Sequence, residues 1–164
     1  MRITQKITIL LLATVSLLAA CAGKPNAEQQ SIAAASTPVF NGDSAFQFVQ
    51  RQVDFGPRVP GTAQHTACAA FLDTTFRRFG AQVTIQNGEA TLYDGRTMRF
   101  KNIIASYNPQ ASKRLLLCAH WDTRPYADQD TNPANHRKPI LGANDGASGV
   151  GVLIEVARQL HLNE

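Results

Sequence analysis

Apolar residues recur at helical spacing in three parts of the chain, over residues 44–53, 63–79 and 147–160. Ser44 can cap the first helix through its side-chain oxygen. The apolar stripes comprise Phe46, Val49 and Val53 in the first segment and Ala67, Phe71, Leu72, Phe76 and Phe79 in the second. The third segment leaves little polar surface, which is typical of a helix packed on a sheet. The pattern therefore predicts three helices.

The region between the second and third helices shows the alternation of β-strands. The predicted strand segments are residues 82–86, 90–93, 97–100 and 102–107. Val83 and Ile85 share one face of the first segment. Asp94-Gly95 separates the two middle segments and is a strong hairpin turn signal. We therefore expect an antiparallel hairpin.

Residues 114–119 are continuously apolar after Arg114, which predicts a strand buried on both faces. A polar loop over residues 121–141 follows, and loops of this length in a domain are usually functional or disordered. The element order predicts an α/β fold whose sheet is antiparallel at its edge and parallel at its centre. A parallel sheet needs another strand after the last helix, so we expect the sheet to be open at its centre.

The N-terminal residues 1–20 are typical of an export signal. Arg2 and Lys6 precede an apolar run over residues 7–20, which is shorter than the ~20 residues of a membrane span. Leu18-Ala19-Ala20-Cys21 resembles a bacterial lipobox, which predicts lipidation of Cys21. The alternative is an ordinary signal peptide with a chance cysteine.

Residues 21–38 are rich in small and polar residues and predict a flexible tether, so the folded part is expected over residues 39–164. This organisation predicts a lipid-anchored protein on the periplasmic face of a bacterial cell envelope. The lack of a negatively charged residue directly after Cys21 favours the outer membrane, as an expectation from lipoprotein sorting.

Charge does not indicate a nucleic-acid partner. Removing Arg2 and Lys6 with the leader lowers the formal net charge from +4 to +2. The remaining basic residues are scattered, which is typical of a solvated surface. Cys68 and Cys118 remain in an oxidising compartment, where they either form a disulfide or are two small buried residues.

Two metal-competent side chains lie at the ends of predicted core elements. His120 follows the apolar strand, and Asp145 opens the last helix, where the helix dipole favours a carboxylate. Imidazole nitrogen and carboxylate oxygen are Zn²⁺ ligands. Asp122 can orient His120 without binding metal. Each residue alone is more typical of a polar surface or an ordinary turn, but their joint placement predicts a metal site.

Other catalytic motifs fit less well. The Gly-Ala-Ser-Gly run at 146–149 is not a Gly-x-Ser-x-Gly nucleophile elbow, and His-Glu-x-x-His does not occur.

Four stretches carry a resemblance to a known family. They are Phe-Gly-Pro-Arg-Val-Pro-Gly at 55–61, Asn-Ile-Ile-Ala at 102–105, His-Trp-Asp-Thr-Arg-Pro at 120–125, and the glycine-rich residues 142–151. In this order they resemble the zinc-dependent M28 peptidase superfamily. The first and third stretches resemble in particular the bacterial glutaminyl-peptide cyclotransferases, the glutaminyl cyclases.

The resemblance implies a three-layer α/β sandwich with a mixed, centrally parallel sheet and zinc beyond the strand ends. Asp145 matches an aspartate that ligates zinc in the whole superfamily, whereas His120 matches a ligand of the two-zinc aminopeptidases alone. Asp122 matches the residue that supports this histidine from behind. The family's glutamate pair, a further aspartate and a last zinc-binding histidine have no counterpart before Glu164. The chain therefore resembles the N-terminal half of the domain, and we expect it to be inactive alone.

The implied reaction converts an N-terminal glutamine of a peptide or protein into pyroglutamate with release of ammonia. Zinc polarises the side-chain amide carbonyl, and a glutamate moves the proton of the α-amine. Two alternatives stay open. One is a two-zinc M28 aminopeptidase, and the other is a non-catalytic lipoprotein fragment.

Overall fold

The computed structural model describes residues 37–163. Its helices are α1 (Gly42–Val53), α2 (Ala63–Arg78) and α3 (Ser148–Leu162), and its strands are β1 (Gln82–Thr91) and β2 (Thr97–Ser106). The predicted signal, Cys21 and most of the tether lie outside the described residues. Within residues 37–163, no helix has the length and hydropathy needed to cross a bilayer.

Helix α1 begins two residues earlier than predicted because Asn41, not Ser44, is its cap. Asn41 has an extended backbone, and its Oδ1 accepts a hydrogen bond of 2.9 Å from the backbone N–H of Ser44. The prediction of a Ser44 cap was wrong, although both residue types suit the role.

Helix α2 follows the predicted bounds closely. Thr62 caps its first turn by accepting a hydrogen bond from the backbone N–H of His65, and Gly80, with a φ of 84°, terminates it. Its buried residues are His65, Cys68, Ala69, Leu72, Thr75 and Phe76. Ala67 lies on the exposed side, so the predicted stripe was wrong at that position.

Strands β1 and β2 form an antiparallel hairpin, as predicted. Their register runs from Gln82 opposite Ser106 to Thr91 opposite Thr97. Gly95 takes a φ of 82° in the turn, which suits a residue without Cβ. β1 joins the predicted segment 82–86 to the first part of the predicted segment 90–93 and ends at Thr91.

Residues 114–119 do not form the predicted buried strand. They are extended but lie in no sheet, because β2 is paired with β1 alone among the described residues. The side chains of Leu115, Leu116 and Leu117 are 94%, 89% and 58% exposed. A strand needs a neighbour for its backbone hydrogen bonds, so the predicted parallel centre of the sheet is not formed within residues 37–163.

Helix α3 packs across α1 and completes the apolar core. A Cβ atom at Gly151 would lie 2.8 Å from the carbonyl oxygen of Ala45, so only glycine permits this close approach. The buried core comprises Cys68, Ala69, Leu72, Phe76, Phe79, Ala81, Trp121, Val150, Ile154 and Ala157. The same helix buries Glu155 completely, which its apolar pattern did not indicate.

Candidate metal-binding loop pair

The Asp145 loop is built by a break in the helical backbone. A five-residue π-helical turn, Ala143–Ala147, precedes α3, and Asp145 inside it has φ −85° and ψ 89°, outside the helical region. Gly142 enters the turn with a φ of 60°, and its carbonyl oxygen accepts a hydrogen bond from the N–H of Ala147. The loop therefore turns the Asp145 carboxylate away from the helix axis.

The structure brings the predicted residues together. His120 Nε2 lies 3.1 Å from Asp145 Oδ1, and His120 Nδ1 lies 3.2 Å from the backbone oxygen of Asp122. The carboxylate of Asp122 is further away, with Oδ1 at 3.8 Å from the same nitrogen. The side chains of His120 and Asp145 are 58% and 50% exposed, so a ligand can reach both.

Both nitrogens of the imidazole face an acceptor, so the tautomer depends on whether a cation is bound. When a cation binds at Nε2, the ring donates to the backbone oxygen of Asp122 through Nδ1. Its Nε2 then carries a lone pair beside the Asp145 carboxylate. An imidazole nitrogen and a carboxylate oxygen side by side form a ligand pair for a divalent cation such as Zn²⁺.

Gly146 allows the segment that carries His120 and the turn Ala143–Ala147 that carries Asp145, together called the loop pair, to approach each other. A Cβ atom at this position would lie 3.0 Å from the backbone oxygen of Asp122 and 3.2 Å from Cε1 of His120. Its φ of 109° is also unsuited to residues with a side chain. The glycine therefore lets the His120 ring lie against the backbone that carries Asp145.

Arg58 was not predicted as a site residue, although it lies in one of the resembling stretches. Its side chain is completely buried, and its Nε donates to the oxygen of Trp121 at 2.9 Å. Its Nη1 and Nη2 donate to the oxygens of Leu141 and Gly142, both at 2.8 Å. Burial lowers the pKa of Arg58, and the nearby Cys68 and Asp122 partly oppose this effect.

His65 is a second buried polar residue near the site that sequence reasoning missed. Its ring stacks on Trp121, with 4.2 Å between ring centroids, and the indole N–H donates to the oxygen of Lys101. Burial lowers the pKa of His65, and the charge of Lys101 acts in the same direction against a smaller opposing effect of Asp122. The neutral His65 ring therefore packs against Trp121, the residue that follows His120.

The possible disulfide between Cys68 and Cys118 is not formed. Cys68 and Cys118 are free thiols, the first buried in the core on α2 and the second exposed on the extended segment 114–119. Burial raises the pKa of Cys68 to about 11, although the charge of Arg58 opposes this. The alternative of two buried cysteines was also wrong, because Cys118 is exposed.

A cavity of about 950 Å³ lies beside the loop pair, between the hairpin turn and the start of the long loop. Asp122 and Arg124 line it on the site side, and Tyr93 lines it on the hairpin side. Arg124 pairs with Asp128 at 2.8 Å, and its Nε lies 3.8 Å from Asp145 Oδ2. Its charge therefore acts close to the exposed carboxylate.

The donor atoms match zinc in kind but not in number. A zinc site uses three or four protein ligands, whereas His120 and Asp145 are two. Within residues 37–163, no group of three or more histidine, cysteine, aspartate or glutamate side chains could hold a metal ion. His120 and Asp145 thus offer two donor atoms of the kind that zinc uses.

Comparison with known proteins finds one peptidase family and several similar proteins and structures. Residues 102–164 match peptidase family M28. The chain is 57% identical to a glutaminyl cyclase of Porphyromonas gingivalis, with a TM-score of 0.74, over 76% of this chain and 43% of that one. It is 52% identical to a leucine aminopeptidase precursor of Bacteroides thetaiotaomicron, with a TM-score of 0.77, over 79% and 45% respectively. A glutaminyl-peptide cyclotransferase-like protein of Bos taurus is 27% identical, over 63% of this chain and 25% of its own length.

The C-terminal part of the chain thus matches peptidase family M28, and the chain is similar to the bacterial glutaminyl cyclases. The predicted α/β class is confirmed by the likeness to these structures. The chain spans less than half the length of the solved structures and about a quarter of the bovine relative.

Proposed function

We propose that this chain carries the metal-binding loop pair of a zinc-dependent glutaminyl-peptide cyclotransferase. Its substrates are peptides or proteins with an N-terminal glutamine, and its products are the pyroglutamyl peptide and ammonia. The observation that supports this most is the exposed Asp145 carboxylate at the turn Ala143–Ala147, in a chain that is 57% identical to a glutaminyl cyclase.

Each residue of the loop pair has a distinct role in this proposal. Zinc, when bound, polarises the side-chain amide carbonyl of the substrate as a Lewis acid. Asp145 offers a carboxylate oxygen to the metal, with its backbone shaped by the turn Ala143–Ala147. The backbone oxygen of Asp122 orients the His120 ring, and the neighbouring Arg124 adds positive charge beside Asp145.

A two-zinc aminopeptidase is the second candidate. The observation that favours it is the direction of the His120 ring, whose Nε2 faces Asp145 instead of turning away. The similarity to a leucine aminopeptidase precursor points the same way. In that case both His120 and Asp145 are metal ligands.

The first experiment compares glutaminyl and leucyl peptides as substrates of the full-length gene product. We expect Asp145→Ala to abolish zinc binding and turnover, because a lost carboxylate ligand has no substitute nearby. Asp73→Ala is the control, since Asp73 forms an exposed pair with Arg77 on α2, outside the loop pair. Full zinc content and activity in the Asp145 variant would refute the assignment of the site.

His120→Ala discriminates between the two candidates. A cyclotransferase keeps its single zinc and turns over more slowly, whereas an aminopeptidase loses one of two zinc ions. The measurement is zinc per protein by elemental analysis, alongside activity on both peptides. Bound zinc with no turnover of either peptide would instead favour a non-catalytic protein.

We also propose that the protein is anchored in a bacterial cell envelope by lipid on Cys21, with the outer membrane favoured. Support comes from the basic and apolar leader and the Leu-Ala-Ala-Cys run that ends at Cys21. Mass spectrometry of the N-terminus tests this: an intact Met1 or an unmodified cleaved end would contradict it.

A further inference from the structure

Arg58 contacts both halves of the loop pair through the backbone. Its Nε donates to the oxygen of Trp121, the residue between His120 and Asp122. Its own carbonyl oxygen accepts a hydrogen bond of 3.1 Å from the N–H of Thr123. The chain after His120 is therefore held on Arg58 by a donor and an acceptor.

The other end of the guanidinium holds the start of the Asp145 loop. Nη1 donates to the oxygen of Leu141, and Nη2 to the oxygen of Gly142. The Gly142 oxygen also accepts from Ala147, which closes the turn that contains Asp145. Arg58 and the loop thus share one carbonyl oxygen, three residues before Asp145.

Fold stability alone does not require an arginine here. Taking a guanidinium out of water is costly, and the hydrogen-bond partners of Arg58 are neutral carbonyl oxygens. The planar guanidinium carries its N–H donors in fixed directions, so it can hold several acceptors at fixed positions. Three acceptors, on Trp121, Leu141 and Gly142, lie on two segments that no sheet or helix joins within residues 37–163. Two weaker ones, on Gln52 and Gly56, lie just before Arg58 in the chain.

We infer that Arg58 is the positioning residue that sets the distance between His120 and Asp145. The inference concerns the metal site itself, and it rests on the proposed function only where turnover is measured. It predicts that a change at Arg58 weakens zinc binding although Arg58 touches no metal ligand side chain.

The test uses Arg58→Lys in the full-length gene product, which keeps the charge but removes the fork. We expect zinc affinity, measured by competition with a chelator, to fall roughly 10–100-fold, as for other residues that orient ligands. We expect kcat to fall by at least about tenfold with KM changed much less, because the change affects the reacting geometry. Leu72→Val is the matched control, because it thins the buried core on α2 and removes none of the hydrogen bonds that Arg58 makes to the two loops.

Gly142→Ala is a second variant for the case in which Arg58→Lys does not fold. Its Cβ would lie 2.6 Å from the oxygen of Asp145 and 3.1 Å from Nη2 of Arg58, so it displaces the loop while the arginine stays. It should lower zinc affinity in the same way. Affinity and kcat equal to those of Leu72→Val in these variants would overturn the inference. If the two variants bind zinc more weakly and the parent has no activity on a glutaminyl peptide, the proposed function is overturned. The inference about Arg58 then still holds.

Discussion

Replacing Glu155 by glutamine should change how the stability of the protein depends on pH. Glu155 is completely buried in the middle of α3, the helix that follows the Asp145 loop. Its carboxylate accepts hydrogen bonds from Arg158 Nε at 2.7 Å, Gln159 Nε2 at 2.7 Å and the backbone N–H of Asn41 at 3.0 Å. Burial alone raises the pKa of Glu155, but these hydrogen bonds outweigh it and lower the pKa from 4.5 to about 2.

The magnitude follows from the difference between folded and unfolded states. Because the folded pKa lies below the unfolded one, ionised Glu155 contributes its full stability above pH 4.5 and loses it as the pH falls towards 2. At about 1.4 kcal/mol for each pH unit between the two values, the whole contribution is about 3 kcal/mol. About 2 kcal/mol of it should be lost by pH 3.

The assay is urea unfolding of the full-length gene product at pH 7, 5, 4 and 3, followed by circular dichroism. Glu155→Gln should destabilise the protein at pH 7, because it leaves Arg158 without its charged partner. The difference in unfolding free energy between parent and variant should then become about 2 kcal/mol smaller as the pH falls from 7 to 3.

The control for this experiment is Glu89→Gln, which breaks an exposed pair with Arg99 on the hairpin. Exposed ion pairs contribute about 0–1 kcal/mol, so the unfolding free energies of the parent and Glu89→Gln should differ little at every pH. A gap between the parent and Glu155→Gln that stays constant from pH 7 to pH 3 would refute the reasoning, because the hydrogen bonds would then not favour the ionised form.

Two further predictions follow from buried and exposed side chains in the same structure. Burial lowers the pKa of His65, so the stability of the protein should fall as the pH drops below 6.5, the ordinary pKa of histidine. His65→Phe should remove that part of the pH dependence in the same unfolding assay. A pH profile that His65→Phe leaves unchanged would contradict this. The segment 39–164, expressed alone, should aggregate through Leu115 and Leu116, which are almost fully exposed. Leu116→Lys should then raise its soluble monomer yield in size-exclusion chromatography, whereas a soluble, zinc-loaded, active parent segment would show that the reasoning is wrong.

The local elements were predictable because their signals are local. Helix α2 needs only its apolar spacing, its Thr62 cap and the terminating Gly80, and the hairpin needs only alternation and Asp94-Gly95. The cap of α1 was misplaced because Asn41 and Ser44 are both good capping residues, and the sequence offers no measure of which one the backbone turn reaches.

Part of the site was predictable for a different reason. His120 and Asp145 each stand at the edge of an apolar element, and the approach of such edges brings them to the 3.1 Å seen between them. Arg58 gives no such signal, because the backbone oxygens by which it contacts the two loops are 63 to 84 residues away along the chain. His65 is likewise polar within a helix, and its partner Trp121 is distant in sequence.

Residues 114–119 show where an apolar pattern and a folded element differ. Hydrophobicity is a property of the segment, whereas a strand also needs a neighbour for its backbone groups. Leu115, Leu116 and Leu117 lie exposed in this segment. The segment nevertheless leads into His120, whose Nε2 lies 3.1 Å from Asp145 Oδ1. The loop pair is therefore shaped without a paired strand beneath it. Among the contacts that hold it are those of Arg58 with Trp121, Leu141 and Gly142, beside the packing of Trp121 on His65 and the hydrogen bond from Gln52 to Ala147. In our proposal, the buried Arg58 bridges the two loops through their carbonyl oxygens and so sets the distance between His120 and Asp145 where no parallel sheet supports them.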